Sequence, residues 1–196
     1  MPHSPAFTAV LFGLRGCLVD FGARCQAPGS EPVEPTPGAL HALHWLQQHG
    51  VPCAWLDDAP AALATHLSQA LPAGLAAPTA ASSHAPWPAP DACWQALMHL
   101  KTAQLDGCVL VSGEPRLLQA GLNAGLWTVG LASCGSLCGV SAAHWQALDE
   151  REREHKRGKA TLQLFSLGVH SVIDQLEQLT DCLADITQRR LKGEKP

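Results

Sequence analysis

Apolar residues occur in short unbroken runs, and between the runs they recur with a helical period. The runs at Thr8 to Phe12, Val51 to Leu56, Cys108 to Val111, Leu126 to Gly130 and His170 to Ile173 are predicted strands. An unbroken apolar run marks a strand covered on both faces, as in a parallel sheet flanked by helices. Helices are predicted between them. Thr36 caps one, with Pro37 in its first turn, leucines at 40, 43 and 46, and Gly50 as its stop. Others start near Asp58 and Pro60 and run to Ala70, span Asp91 to Lys101, open at Ser112-Gly113-Glu114-Pro115 and reach Ala124, and run from Ser141 to Leu148. A charged helix is predicted over Glu150 to Phe165. A last helix ends near Leu191, with Asp174 and Glu177 as its capping pair. Residues 23 to 36 and 72 to 90 read as loops, with a short strand near Leu75 to Ala77. Strand-helix alternation of this kind predicts an α/β fold, a three-layer α/β/α Rossmann-like parallel sheet. Ligands of such sheets bind beyond the carboxyl ends of the strands, here near Gly13, Asp57 and Ser112.

Composition narrows the function classes. A chain of 196 residues with 46% hydrophobic content fits one domain over 1–196, with a frayed tail at 192–196. A net charge of -4 gives no basic field for nucleic acid. No apolar run approaches the roughly 18 residues that span a bilayer, and no charged-then-apolar leader opens the chain. No membrane association and a cytoplasmic location are therefore expected. The eight cysteines lie mostly alone in apolar segments and are expected to be buried free thiols. Cys134 and Cys138 form the close pair, and His41 and His44 share a helix face. Neither pair has the complement that a metal site requires.

The candidate chemistry starts at Ala9-Val10-Leu11-Phe12-Gly13-Leu14-Arg15-Gly16-Cys17, a strand that runs into a glycine-rich turn. This stretch resembles the first motif of the haloacid dehalogenase superfamily, hydrophobic residues leading into Asp-x-Asp-Gly-Thr. The likeness extends along the chain. Gly121-Leu122-Asn123-Ala124-Gly125-Leu126-Trp127-Thr128-Val129-Gly130 is similar to a stretch of the phosphonoacetaldehyde hydrolases. So are Ser141 to Leu148, Gly168-Val169-His170-Ser171-Val172-Ile173-Asp174, and the turn Ala85-Pro86-Trp87-Pro88-Ala89-Pro90. The resemblance implies the core fold of that superfamily. It also implies that the helical cap is absent, since the loop 23–36 stands where the cap would be inserted.

By the same resemblance, Gly13 and Arg15 stand where the nucleophilic and the acid-base aspartate belong, and Cys17 where the threonine belongs. Asp57 replaces the hydroxyl residue of the second motif and Trp87 the basic residue of the third. Ser112 and Gly113 stand where aspartates hold magnesium, with Glu114 one place late. Glycine cannot attack, and arginine stays protonated. No lysine precedes Lys101, so a cap lysine able to form a Schiff base is missing. The expectation that follows is a catalytically inactive protein, not an enzyme, that acts by binding another protein. Its magnesium site and all cofactors would be lost, and no cap-mediated dimer would form. In that reading Trp87 anchors the interface at an open mouth. A first alternative is a binder of phosphate-like anions through Arg15, the Gly16 amide and the turn at Gly113, with Asp58 and Glu114 as neighbours. Asp57 and Asp58 would oppose this, or would pair with Arg15. A second alternative is a hydrolase with relocated catalytic residues. Cys17 would then be a thiol activated by Arg15, or Asp57, Asp58 and Glu114 an acidic cluster able to take a divalent cation.

Overall fold

The protein, seen as a computed structural model, is described over residues 7–29, 33–73, 75 and 85–196. Five strands form one sheet: β1 (Ala9–Gly13), β2 (Cys53–Leu56), β3 (Cys108–Ser112), β4 (Trp127–Leu131) and β5 (Ser171–Ile173). All neighbours are parallel, in the order β2-β1-β3-β4-β5. Helices α1 (Ala39–Gln48), α2 (Ala61–Ser68), α3 (Asp91–His99), α4 (Pro115–Asn123), α5 (Ala142–Ala147), α6 (Glu150–Ser166) and α7 (Leu179–Leu191) lie between or after the strands. Among the described residues no helix is long and apolar enough to cross a membrane.

The unbroken apolar runs are explained by cover on both faces. In β1, Val10 and Phe12 enter a core with α1, α2 and α7, whereas Ala9 and Leu11 enter a second core with α3 and α4. All five residues of β1, β3 and β4 are buried. Each fully buried Val or Leu contributes roughly 1.5–3 kcal/mol by burial, which leaves little tolerance for polar groups. A third cluster packs α6, through Ala160 and Leu164, beside Leu118 and Ala132.

Local signals fixed most helix ends within two residues. Gly50, at φ +66, ends α1 as expected. Ser141 caps α5, and Asp149 with Glu152 forms a capping box at α6. Two expected caps differ. Gly38, not Thr36, stands at the start of α1, because its left-handed backbone lies against Leu176 and Glu177, where a side chain would collide. The Thr36 hydroxyl instead donates to the carbonyl of Cys17. Asp174 does not cap the final helix. It pairs with Arg157 at 3.2 Å, and a 3-10 turn at Leu176–Gln178 leads into α7. Leu75 lies in no strand, and positions 76 and 77 of the expected short strand lie outside the described residues.

Beside β4, His170 Nδ1 accepts a hydrogen bond from the Thr128 amide at 3.0 Å, and Arg189 lies over the neighbouring Trp127 ring. Burial first, and the Arg189 charge second, hold the His170 pKa below its ordinary value. The unfolded chain, whose histidine titrates near about 6.5, then binds more protons than the folded one. The contribution of His170 to stability is therefore present above that pH and is lost as pH falls through the lower folded value. Urea denaturation at pH 7.5 and pH 5.5 is expected to show a larger acid destabilisation in the wild type than in His170→Asn. Equal losses would remove His170 from the account.

Candidate functional site

The strand order places the switch point between β1 and β3, since the chain leaves β1 toward β2 on one side and returns to β3 on the other. Beyond it lies a cavity of about 70 Å³, lined among others by Gly13, Arg15, Asp57, Trp87, Ser112 and Glu114. The sequence-level candidates thus converge, apart from Gly16, Cys17, Asp58 and Gly113, which adjoin the cavity without lining it. Ligand pockets for drug-sized molecules enclose about 300–1,000 Å³. This cavity admits a single small group, with the rest of any larger molecule outside.

Arg15 follows β1 in a tight turn, in which Leu14 donates its amide to the Leu56 carbonyl at 2.9 Å. Its guanidinium turns to the end of β2. Arg15 Nε donates to Asp57 Oδ1 at 3.0 Å, Nη2 lies 2.9 Å from the same oxygen, and the Arg15 amide donates to Oδ2 at 3.1 Å. Asp57 Oδ1 also accepts from the Ala59 amide at 2.7 Å. Among the described residues Asp58 makes one contact, from Arg15 Nη2 at 2.8 Å. Burial acts to lower the Arg15 pKa, but the hydrogen bonds and charge of Asp57, then the charges of Asp58 and Asp20, outweigh it and the pKa is raised. Asp20 itself closes the next turn, accepting from the amides of Arg24 and Cys25.

At the end of β3, the Ser112 Oγ fills the space a side chain at position 13 would need. A Cβ built on Gly13 would lie 2.7 Å from it. Ser112 Oγ accepts from the Glu114 amide at 2.9 Å, and Glu114 caps α4 by accepting from the Arg116 amide. Gly113 has no room for a side chain, because its Cβ would meet the Gly16 carbonyl oxygen at 2.4 Å and the Cys134 carbonyl oxygen at 2.8 Å. A carboxylate cannot stand at 113 on this backbone, and Asp57 and Asp58 are turned to Arg15. Among the described residues no group of three His, Cys, Asp or Glu is placed to hold a metal ion. The donor set therefore does not fit the magnesium that the family resemblance implies.

Three expectations change. Trp87 is not an exposed anchor. It is 6% exposed, packs in the second core with Leu56 and Leu117, and forms a wall of the cavity. Its carbonyl accepts from Arg116, a fixed cation that the sequence pattern did not single out. The Gly16 amide is not free for an anion, since it donates to the carbonyls of Val19 and Asp20, each at 2.9 Å. Cys17 is fully buried, and its thiol donates to the Val111 carbonyl at 3.4 Å. Burial, with the nearby Cys134, pushes its pKa well above the ordinary thiol value despite Arg15 two residues away. A thiolate nucleophile at 17 is thereby disfavoured. No disulfide joins any of the eight cysteines; six are buried as expected, and Cys25 and Cys53 are half-buried.

No protein-family model matches the chain. The phosphonoacetaldehyde hydrolase of Bordetella pertussis (strain Tohama I) is 35% identical over 171 residues, 85% of this chain. The chain spans 62% of that relative's length. One crystal structure is 58% identical with a TM-score of 0.90, and covers 97% of this chain and 100% of its own. The crystal structure of a phosphonoacetaldehyde hydrolase like protein from Oleispira antarctica shares the fold, with a TM-score of 0.87 at 20% identity, over 98% of this chain and 96% of its own. These findings overturn the expectation of an inactive, protein-binding non-enzyme. The Bordetella relative that aligns along most of the chain is named as a hydrolase, and the Oleispira antarctica protein is named as hydrolase-like. In sequence the chain is similar to phosphonoacetaldehyde hydrolases over most of its length, and its α/β fold is the one seen in the Oleispira antarctica protein.

Proposed function

We propose that the chain is a hydrolase of small phosphate esters, with its catalytic groups relocated to the ends of β2 and β3. The observation that carries this is the cavity at the switch point. It keeps a guanidinium, a hydroxyl and a carboxylate around a space the size of one small anion, in a chain whose relatives are named hydrolases. Arg15 binds the phosphoryl oxygens and offsets the charge that grows as phosphorus is attacked. Asp57 orients Arg15 through four contacts, one of them Nε to Oδ2 at 3.1 Å, and is itself occupied, since it also accepts from the Ala59 amide. Glu114 is the carboxylate left for general-base work. It takes a proton from water as the water oxygen bonds to phosphorus. The ester P–O bond then breaks, and the departing alkoxide takes up a proton from solvent. Ser112 Oγ, bound to the Glu114 amide, fixes the backbone of that residue.

An ester fits these residues better than phosphonoacetaldehyde does. Breaking a P–C bond leaves a carbanion, which a Schiff base on a lysine would stabilise. The first lysine in the chain is Lys101, in the turn after α3. The test is a paired assay of purified protein with p-nitrophenyl phosphate and phosphonoacetaldehyde. Ester turnover is expected, with a loss on the order of 100-fold or more in kcat for Glu114→Gln. Glutamine still offers an oxygen to the Arg116 amide, so the helix cap persists. EDTA is expected to leave the rate unchanged, because no carboxylate can stand at 113. Turnover no faster than in Glu114→Gln would defeat the proposal, and abolition by EDTA would defeat the metal-free route.

A further inference from the structure

We infer that Asp58 is a built-in competitor of the phosphate group for Arg15, and so sets the affinity and selectivity of the site. The inference rests on the reading of the cavity as a phosphate site and adds a regulating residue to it. The two carboxylates that hold Arg15 are unequal. The Asp57 side chain is 3% exposed and takes the Nε edge of the guanidinium, the Arg15 amide and the Ala59 amide. It fixes where the guanidinium stands. The Asp58 side chain is 49% exposed and makes a single contact among the described residues, to Nη2. The other outer nitrogen, Nη1, reaches the Cys25 carbonyl at a long 3.5 Å. The guanidinium therefore has one buried, permanent anchor and one exposed, exchangeable partner.

An exposed ion pair of this kind is weak, because water and salt screen it. A phosphate dianion offers Nη1 and Nη2 two oxygens in place of one, in the fork geometry arginine favours. Its arrival swings Asp58 out to solvent, while Asp57 keeps the cation in position. In the unliganded state Asp58 adds a second negative charge beside Arg15 and screens it from weaker, singly charged anions. The selectivity is for groups with at least two oxygens and enough charge to displace a carboxylate.

Calorimetric titration with inorganic phosphate tests this, at fixed ionic strength, on wild type, Asp58→Asn, Asp58→Glu and Asp58→Asn combined with Arg15→Gln. Asp58→Asn is expected to bind phosphate about 3- to 10-fold more tightly. Asp58→Glu should stay near wild type, and the added Arg15→Gln should abolish the gain. The KM for p-nitrophenyl phosphate should fall in parallel in Asp58→Asn. Wild-type affinity in Asp58→Asn overturns the inference. So does a gain that survives Arg15→Gln, which would reflect overall charge, or an absence of phosphate binding in every variant. Ester turnover with an unchanged KM sinks the competitor and leaves the hydrolase standing. Tighter phosphate binding without turnover sinks the hydrolase and leaves the competitor standing.

Discussion

Gly113→Asp is expected to prevent stable folding, at a cost of more than about 4 kcal/mol. The reason is a meeting of backbones. A Cβ at 113 would lie 2.4 Å from the Gly16 carbonyl oxygen, 2.8 Å from the Cys134 carbonyl oxygen and 2.8 Å from the Gly135 Cα. The contact is reciprocal, since a Cβ on Gly135 would meet the Gly113 carbonyl oxygen at 2.3 Å and one on Gly16 the Gly135 Cα at 2.5 Å. The turns after β1, β3 and β4 therefore pack main chain on main chain, and no rotamer change relieves the clash. Urea denaturation, or the soluble yield if the variant does not purify, reads the effect. Gly158→Ala in α6, where nothing lies within 4 Å of the added Cβ, is the control. It is expected to stabilise by up to about 1 kcal/mol through helix propensity. A Gly113→Asp protein with the wild-type midpoint would show that the three turns can separate. If they cannot, one substitution at 113 does not restore a metal carboxylate.

The sheet was legible because its strands are covered on both faces. Runs such as Cys108 to Val111 have no polar alternation to confuse with a surface strand, and their boundaries shifted by a residue or two. The pairing of Arg15 with Asp57 and Asp58 was also within reach, since both ends had been placed at the same edge of the sheet. Contacts between distant segments were not. Ser112 Oγ occupying the space beside Gly13 joins two strand ends 99 residues apart, and neither residue type announces it. Trp87 lies in a proline-rich turn with no periodicity, so nothing local reveals that it faces Leu56 and Leu117 and not solvent. Asp174 matched a capping pattern, but Arg157, 17 residues earlier on α6, offered a charge partner, and a 3-10 turn took the place of the cap. The functional inference went astray for a related reason. Residue types at single motif positions carried the expectation of inactivity, whereas Arg116, which bonds the Trp87 carbonyl, belongs to no motif and gave no local signal.

Asp57→Ala is expected to destabilise the protein by about 2–4 kcal/mol and to abolish phosphate binding. Removing one partner of a buried ion pair leaves the other charge uncompensated, which typically costs 3–5 kcal/mol. The Arg15 side chain is 21% exposed, and solvent screening brings the figure down. The Ala59 amide and the Arg15 amide lose their acceptor in the same step, at roughly 1 kcal/mol or more each where water does not replace it. Asp58 cannot compensate, since it reaches only Nη2 and lies half in solvent. Asp58→Asn should therefore leave the urea midpoint almost unchanged while it tightens phosphate binding, whereas Asp57→Ala lowers the midpoint and loses the ligand. Adding Arg15→Gln to each completes a double-mutant cycle. Strong coupling is expected between Arg15 and Asp57, and weak coupling between Arg15 and Asp58. Equal coupling energies for the two aspartates would mean that the guanidinium has no fixed anchor. Neither the positioning role of Asp57 nor the exchange at Asp58 would survive that result.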